Sequence, residues 1–229
     1  MKSAKLYVLT AIIFNILFFS CKKDSIQPGS PSFSYFPTEK GKYVIYEVDS
    51  VYHADNDNNT DDSVYSTHFQ LKEVIGDSYF DGEGRLNQVI KRYRRDNDTL
   101  PWDVLNVWTQ VLTNATAYKT EDNVPYHKLG FPINDLTSWN GNDANTLEEE
   151  LYEYQNYHVP LTLNGLSFDS TLSVLQRNDN NFVFRIYAKE IFANHVGLIY
   201  KERDDLHLIN SLPVKGTEFK MKVKSYGVE

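Results

Sequence analysis

The densest set of chemically capable side chains is four oxygen donors spaced two apart, Asp55, Asp57, Asn59 and Asp61. Alternate positions can bring hard ligands together on calcium, as a twelve-residue calcium loop does. Here the sixth position is Thr60 in place of Gly, and the twelfth is Ser66 in place of a bidentate Glu. The stretch therefore reads first as a solvated acidic loop, with calcium as the functional option. His53, His68, His127, His158, His195 and His207 stand apart, without the paired spacing that assembles zinc on one element. No Gly-x-Ser-x-Gly elbow and no phosphate-cradling glycine loop occurs. The carboxylate runs Glu148-Glu149-Glu150 and Asp204-Asp205 keep open a hydrolase of envelope or dietary glycans working through an acid and base pair. Charged surface is the default reading of such runs. Arg92, Arg94 and Arg95 beside Tyr93 could hold an anion, but the acidic balance of the chain favours a solvated strand face. No residue is assigned as catalytic, and no cofactor is implied.

The 229 residues carry a formal charge of −8, 14% aromatics with sixteen Tyr and thirteen Phe, and a single cysteine. That composition excludes a disordered, collagenous or multi-span membrane chain, and the negative charge argues against a nucleic-acid partner. One cysteine excludes internal disulfides and cysteine metal cages, so the position of Cys21 has to account for it. Lys2 and Lys5 precede an almost unbroken apolar run from Leu6 to Phe19, then Ser20-Cys21 and Lys22-Lys23-Asp24. The run is shorter than the roughly 20 residues that cross a bilayer core, so it reads as a signal peptide over residues 1–20. Leu17-Phe18-Phe19-Ser20-Cys21 resembles the lipobox of bacterial lipoprotein precursors. That resemblance implies cleavage between Ser20 and Cys21, acylation of Cys21, and a membrane partner reached through the lipid. Lys22 after the cysteine implies the outer membrane, with the facing leaflet open. Residues 21–34, holding Pro28, Gly29 and Pro31, read as a flexible tether.

Residues 35–229 must then supply one folded domain, and their rhythm is that of strands. Val44, Tyr46, Val48, Ser50 and Tyr52 share one face of a long strand, and Val64 to Val74 alternates again beyond the acidic loop, which predicts a hairpin. Asp81-Gly82-Glu83-Gly84 separates Asp77–Phe80 from Leu86–Arg95. Trp102–Leu112 suits a helix by spacing and a strand by composition, and its neighbours favour a strand. Glu121-Asp122-Asn123 and Asn140-Gly141-Asn142-Asp143 are turn signals. Leu147–Tyr154, with Asn145 or Thr146 as cap and an acidic first turn, has the marks of a helix. From Leu161 onward the chain predicts a meander of short strands, Leu161–Leu163, Leu166–Leu175, Phe182–Ala188, Val196–Lys201, Leu206–Ile209 and Phe219–Tyr226. The fold class expected is mainly β, a curved antiparallel sheet or half-barrel with at most one or two short helices.

Two sets of short motifs add to this. Tyr35-Phe36-Pro37 with Gly41-Lys42-Tyr43-Val44-Ile45-Tyr46, Leu129 to Trp139, Phe168-Asp169-Ser170-Thr171, and Tyr187-Ala188 with Val196-Gly197-Leu198-Ile199-Tyr200-Lys201 together resemble a family of exported bacterial lipoproteins. In that family an opening "FP…G…W.Y" strand leads to a late "YA.GVGL" strand. The resemblance implies a curved antiparallel sheet similar to lipocalin-like or lipoprotein-carrier half-barrels, and it supplies no catalytic residues. Tyr43 stands where Trp is common, and Phe192-Ala193-Asn194-His195 intervenes before Val196. Separately, Asp24-Ser25-Ile26, Asp49-Ser50-Val51, Asp62-Ser63-Val64, Asp98-Thr99-Leu100 and Asp169-Ser170-Thr171 resemble the Asp-Ser/Thr-apolar sites of bacterial O-glycosylation. Ser63 and Thr99, at loop edges, are the exposed candidates. The same pairs also mark turns.

The function expected is a membrane-anchored, non-enzymatic β domain of the cell envelope. It would bind a protein partner or an apolar small molecule in the curve of its sheet, lined by aromatics on alternating strand positions. Most of those aromatics are expected to be core.

Overall fold

The structure, a computed structural model, describes residues 33–54 and 64–229. The leader, Ser20 and Cys21, nearly all of the tether, the calcium candidates Asp55, Asp57, Asn59 and Asp61, and Ser63 lie outside the described residues.

The alternating segments form twelve strands: β1 (Lys42–His53), β2 (Val64–Phe80), β3 (Leu86–Arg95), β4 (Asp103–Leu112), β5 (Thr116–Glu121), β6 (Val124–Gly130), β7 (Ser138–Asn140), β8 (Leu151–Leu163), β9 (Leu166–Asn180), β10 (Phe184–Ala193), β11 (Gly197–Ile209) and β12 (Leu212–Val228). They make one antiparallel sheet in the order β6-β5-β4-β3-β2-β1-β12-β11-β10-β9-β8-β7. Two six-strand meanders are thus joined in the middle by the pairing of β1 with β12. Asp122 and Asn123, with φ of 49° and 69°, turn β5 into β6, and Asn210 and Ser211, with φ of 52° and 64°, turn β11 into β12. Both are two-residue hairpins with positive φ at both central positions, which match the twist of the strands they join.

The two outer edges of the sheet, β6 and β7, come back together, so the sheet is nearly closed into a barrel. His127 N donates to Gly141 O at 2.9 Å. Trp139 Nε1 donates to His127 O at 2.8 Å, and Tyr154 OH to Gly130 O at 2.7 Å. Gly141 is required at this seam, because a Cβ there would sit 2.1 Å from the Tyr152 ring.

A barrel of this many strands encloses more width than facing aliphatic side chains fill, so bulky groups have to occupy it. Trp139, Tyr152, Tyr154 and Phe192 form one apolar cluster with Tyr35 and Phe36, which enter from a single 3₁₀ turn, Phe33–Tyr35. Val44, Tyr46, Val48, Phe168, Met221 and Val223 belong to a second. The core takes Tyr35, Phe36, Tyr46, Trp139, Tyr152, Tyr154, Phe168 and Phe192, whereas Tyr52, Tyr65, Tyr79, Phe80, Phe182, Phe184 and Tyr226 are exposed, so the expectation that most aromatics are core does not hold among the described residues.

Three expectations need correction. Leu147–Tyr154 is not helical: residues 148–150 lie in neither helix nor strand and Leu151 starts β8. Tyr152 and Tyr154 alternate into the core there, and burying them outweighs a helix cap. The short strands of the C-terminal half are long ones; Leu206–Ile209 and all of Val196–Lys201 after Val196 are parts of β11. The intervening Asp204 looked like a break, yet its side chain is 0% exposed, with Arg185 Nη2 2.6 Å away. Arg92, assigned to a solvated face, points into the barrel and is buried.

Candidate functional site

Period-two alternation carries charge inward at a few positions of otherwise apolar faces. On β2, Phe69, Leu71, Glu73 and Ile75 follow one another on one face, and the register sets Glu73 beside Val44 on β1 and Arg92 on β3. On β10, Glu190 lies between the buried Ala188 and Phe192, opposite Lys201 on β11 and Val174 on β9. Lys119 on β5 and Lys128 on β6 are buried as well.

These side chains find one another in two groups. Glu73 Oε1 accepts from Arg92 Nε at 2.9 Å, and Glu73 Oε2 accepts from Lys119 Nζ at 2.6 Å. The Arg92 guanidinium lies 3.3 Å from the Trp108 ring centre, which shields it while using the ring's negative face. The second group is a four-membered ring of alternating charge. Lys128 Nζ reaches Glu121 Oε1 at 2.9 Å and Glu190 Oε1 at 2.8 Å, and Lys201 Nζ reaches Glu121 Oε2 at 3.1 Å and Glu190 Oε1 at 3.4 Å. Buried charge is tolerated only when paired this closely.

The electrostatics follow from that pairing. Burial alone pushes the Glu73 carboxyl up, but Lys119 and Arg92 together outweigh it and hold it below the ordinary range. Glu121 and Glu190 are likewise pushed up by burial and brought down further by Lys128 and Lys201. Burial works against the Lys128 ammonium, and Glu121 and Glu190 raise its pKa above the ordinary value. The pairing thus holds the carboxyls of Glu73, Glu121 and Glu190 towards the anion.

Beside these groups is a cavity of about 60 Å³. Its polar lining includes Glu73, Lys119, Lys128, Glu190 and Gln110, and its apolar lining includes Phe36, Tyr46, Ile75, Ile90, Phe192 and Leu198. Towards one end of the barrel it is lined by Pro37, Lys42, Tyr43, Val196 and Gly197. There the opening and late motifs meet: Gly197 has φ of 95°, and a Cβ on it would lie 3.1 Å from Pro37 Cδ. Pro37 O in turn accepts from Gln110 Nε2 at 2.7 Å. Just outside, Tyr35 OH is within 2.7 Å of Ser170 Oγ and 2.9 Å of His158 Nδ1, which fixes the N-terminal turn to β8 and β9.

The motif residues Phe36, Pro37, Lys42, Tyr43, Tyr46, Val196, Gly197 and Leu198 line the cavity, and of the candidate arginines, carboxylate runs and glycan sites, Arg92 alone reaches its charged groups. Arg94 lies over the Phe69 ring and Arg95 over Trp102, so no triple-arginine anion patch forms. Glu148 and Glu149 are exposed. Thr99 is exposed on a turn, with its Oγ1 and backbone N both bonded to Asn97 Oδ1. Among the described residues, no group of three or more His, Cys, Asp or Glu is placed to hold a metal. Glu73, Lys119, Glu121, Lys128, Glu190 and Lys201 were missed. The signal for them was a charged residue at an inward position of an apolar alternation, as in Leu71-x-Glu73-x-Ile75 and Ala188-x-Glu190-x-Phe192.

No protein-family model matches the chain, and no curated protein matches it. Among solved structures, a Bacteroides fragilis protein described as exported, with a YmcC-like fold, covers 84% of this chain and 98% of its own at 10% identity and a TM-score of 0.48. A Parabacteroides distasonis protein described as a lipoprotein covers 84% and 98% at 8% identity and a TM-score of 0.47. Likenesses of this size say nothing about activity.

Proposed function

We propose that the protein is a lipid-anchored protein of the outer membrane, acylated at Cys21 after removal of residues 1–20, whose barrel binds a ligand and performs no reaction. The anchor rests on the basic start, the apolar run and the lone cysteine at its end. The observation that carries the binding role is the interior cavity, where apolar walls meet a few fixed charges whose carboxyls are all held as anions. Ser63 and Thr99 are its proposed glycan sites. The test has two parts. Cys21→Ser should abolish incorporation of labelled palmitate and move the protein from the membrane to the soluble fraction. Native mass spectrometry of protein purified from membranes without denaturation should show a small molecule in addition to the lipid; a bare acylated or glycosylated mass overturns the binding role.

One observation favours a protein partner as a second reading. On the adjoining tips of β9–β10 and β11–β12, Phe182 is 87% and Leu212 67% exposed, with Val183 and Ile209 also exposed. Leu208 N donates to Val183 O, which joins the two tips. An apolar rim of this kind is the usual mark of contact with another protein. Crosslinking in whole cells through a photoreactive group at position 182 should then capture one protein, and capture of none removes this reading.

A further inference from the structure

We propose that one end of the barrel binds a neutral glycan chain, its sugar rings stacked on Tyr52 and Tyr65 and its hydroxyl groups bonded to Asp205 and Arg203. Along β11 this site lies on the other side of Lys201 from Leu198, which lines the interior cavity, so it is a separate site and does not rest on the binding role above.

The strand register builds the site as two rows. Tyr52 on β1 pairs with Tyr65 on β2 and with Thr217 on β12, and Thr217 pairs with Asp205 on β11. Two residues further along each strand, Ser50 pairs with Thr67 and Phe219, and Phe219 pairs with Arg203. Residues directly opposed across strands put their side chains on one face, and alternate residues of a strand share it. Both rows therefore continue the face on which Val48 and Met221, the next pair along β1 and β12, are buried. Burial ends with that pair: Tyr52 is 50% and Tyr65 58% exposed, and Thr67, Arg203, Asp205 and Thr217 are exposed as well.

Three features of these rows select the ligand. The Tyr52 and Tyr65 ring centres lie 6.2 Å apart with 28° between the planes, so the two rings make one stacked apolar platform open to water, with little rotamer freedom to lose on binding. A sugar ring offers such a platform a flat array of C–H bonds, which the negative face of an aromatic ring attracts. Next, Asp205 and Arg203 have no ion-pair partner among the described residues. One free carboxylate beside one free guanidinium suits a ligand rich in hydroxyls, since a hydroxyl can donate to the first and accept from the second. An anion would be opposed by Asp205 and a cation by Arg203, and an apolar ligand would strip water from both without replacing it. Last, Arg203 also borders an open hollow together with Gln176, Arg177, Asn178 and Asp179. Planar polar groups thus extend past the platform, and a chain of rings uses the whole surface where a single ring cannot.

The test is calorimetric titration of the purified full-length protein, in a detergent without a sugar head group, with maltohexaose, cellohexaose and laminarihexaose, and with glucose and hexagalacturonate for comparison. At least one neutral hexasaccharide should bind saturably, with glucose and hexagalacturonate both weaker. Tyr52→Ala combined with Tyr65→Ala should weaken that hexasaccharide about tenfold, the order of two lost stacking contacts, with the circular dichroism spectrum unchanged. Asp205→Ala, at an exposed position, should weaken it about tenfold as well, the order of one hydrogen bond to a charged group. Should the tyrosine variant misfold, Asp205→Ala decides alone. Absence of saturable binding by all three neutral chains overturns the proposal, as does binding that a folded variant leaves unchanged, or hexagalacturonate tighter than every neutral chain. A protein crosslinked from position 182 in wild-type cells and lost with the tyrosine variant, together with no sugar binding, would assign the two rows to a protein interface and overturn it too.

Discussion

Lys128 Nζ and Glu190 Oε1, sixty-two positions apart in the chain, lie 2.8 Å from one another in the interior of the barrel. They come from opposite meanders, β6 and β10, and with Glu121 and Lys201 they bind the two halves of the barrel across its width. Removing one member leaves its partners buried and unmatched. Lys128→Met is therefore expected to cost about 3–5 kcal/mol of unfolding free energy, because Glu121 and Glu190 lose their shared cation. The double variant Lys128→Met with Glu190→Leu should recover a large part of that loss, since an apolar pair of similar volume is often neutral. Urea unfolding of the single and double variants measures both values.

Acidification should weaken the barrel from within. Glu73, Glu121 and Glu190 all titrate below the ordinary carboxyl value of 4.5 in the folded state. Stability drawn from their pairs is complete above that value and lost as pH falls through the depressed folded values. The midpoint of thermal unfolding, followed through the fluorescence of Trp108 and Trp139, should drop steeply below about pH 4. A midpoint that stays level from pH 6 to about pH 3 would contradict the pairing.

Asp204 is expected to act with the opposite sign. Burial pushes its carboxyl up, Arg185 pulls it partly back, and Glu202 and Glu218 add to the rise. A raised carboxyl opposes the folded state above its folded pKa and ceases to do so as pH falls through it. Asp204→Asn should consequently raise the melting temperature at pH 8 and leave it nearly unchanged near pH 4. A lower melting temperature at pH 8 would mean that the contact with Arg185 outweighs the burial.

Two glycine substitutions separate backbone strain from crowding. Gly197→Ala forces a side chain into positive φ, at about 1–2 kcal/mol, and presses on Pro37. Because Pro37 lines the cavity, the same change should also weaken whatever ligand the cavity holds. Gly141→Ala has ordinary φ, but its Cβ would overlap the Tyr152 ring, so the seam between β6 and β7 must open. Melting temperature should fall for both, and amide exchange at His127 should accelerate only for Gly141→Ala.

Alkaline titration offers a probe of the core. Burial raises the hydroxyl pKa of Tyr46, Tyr152 and Tyr154, and neighbouring carboxylates add to burial for Tyr118, Tyr187 and Tyr200. These six should resist ionisation at about pH 10, where a free tyrosine titrates. Phenolate absorbance should rise in two phases, the second coinciding with loss of the circular dichroism signal.

Much of this architecture could be read from the chain. The alternation of Val44, Tyr46 and Val48, the glycine-rich turn at 81–84 and the Asp122-Asn123 hairpin each act through neighbours in sequence, and all three appear as expected. Leu147–Tyr154 misled because its cap signals are local, whereas the burial of Tyr152 and Tyr154 depends on Trp139 and Val174 from other strands. The site was harder still. Lys128 and Glu190 look like ordinary surface residues until the register of the twelve-stranded sheet turns them inward. Their chemistry exists only as a pairing across the barrel, and nothing near either residue announces its partner.

The pairing of β1 with β12 sets a timetable for the molecule. Lys42 lies opposite Val228 and His53 opposite Gly216, so the first strand has its second neighbour only when the last seventeen-residue strand has been made. Until then β1 presents a bare edge and the two meanders cannot be joined. The closure spans nearly the whole polypeptide, the kind of contact that forms slowly because so much chain must be gathered first. A barrel wired in this way is fastened along one line, where its earliest and latest strands meet.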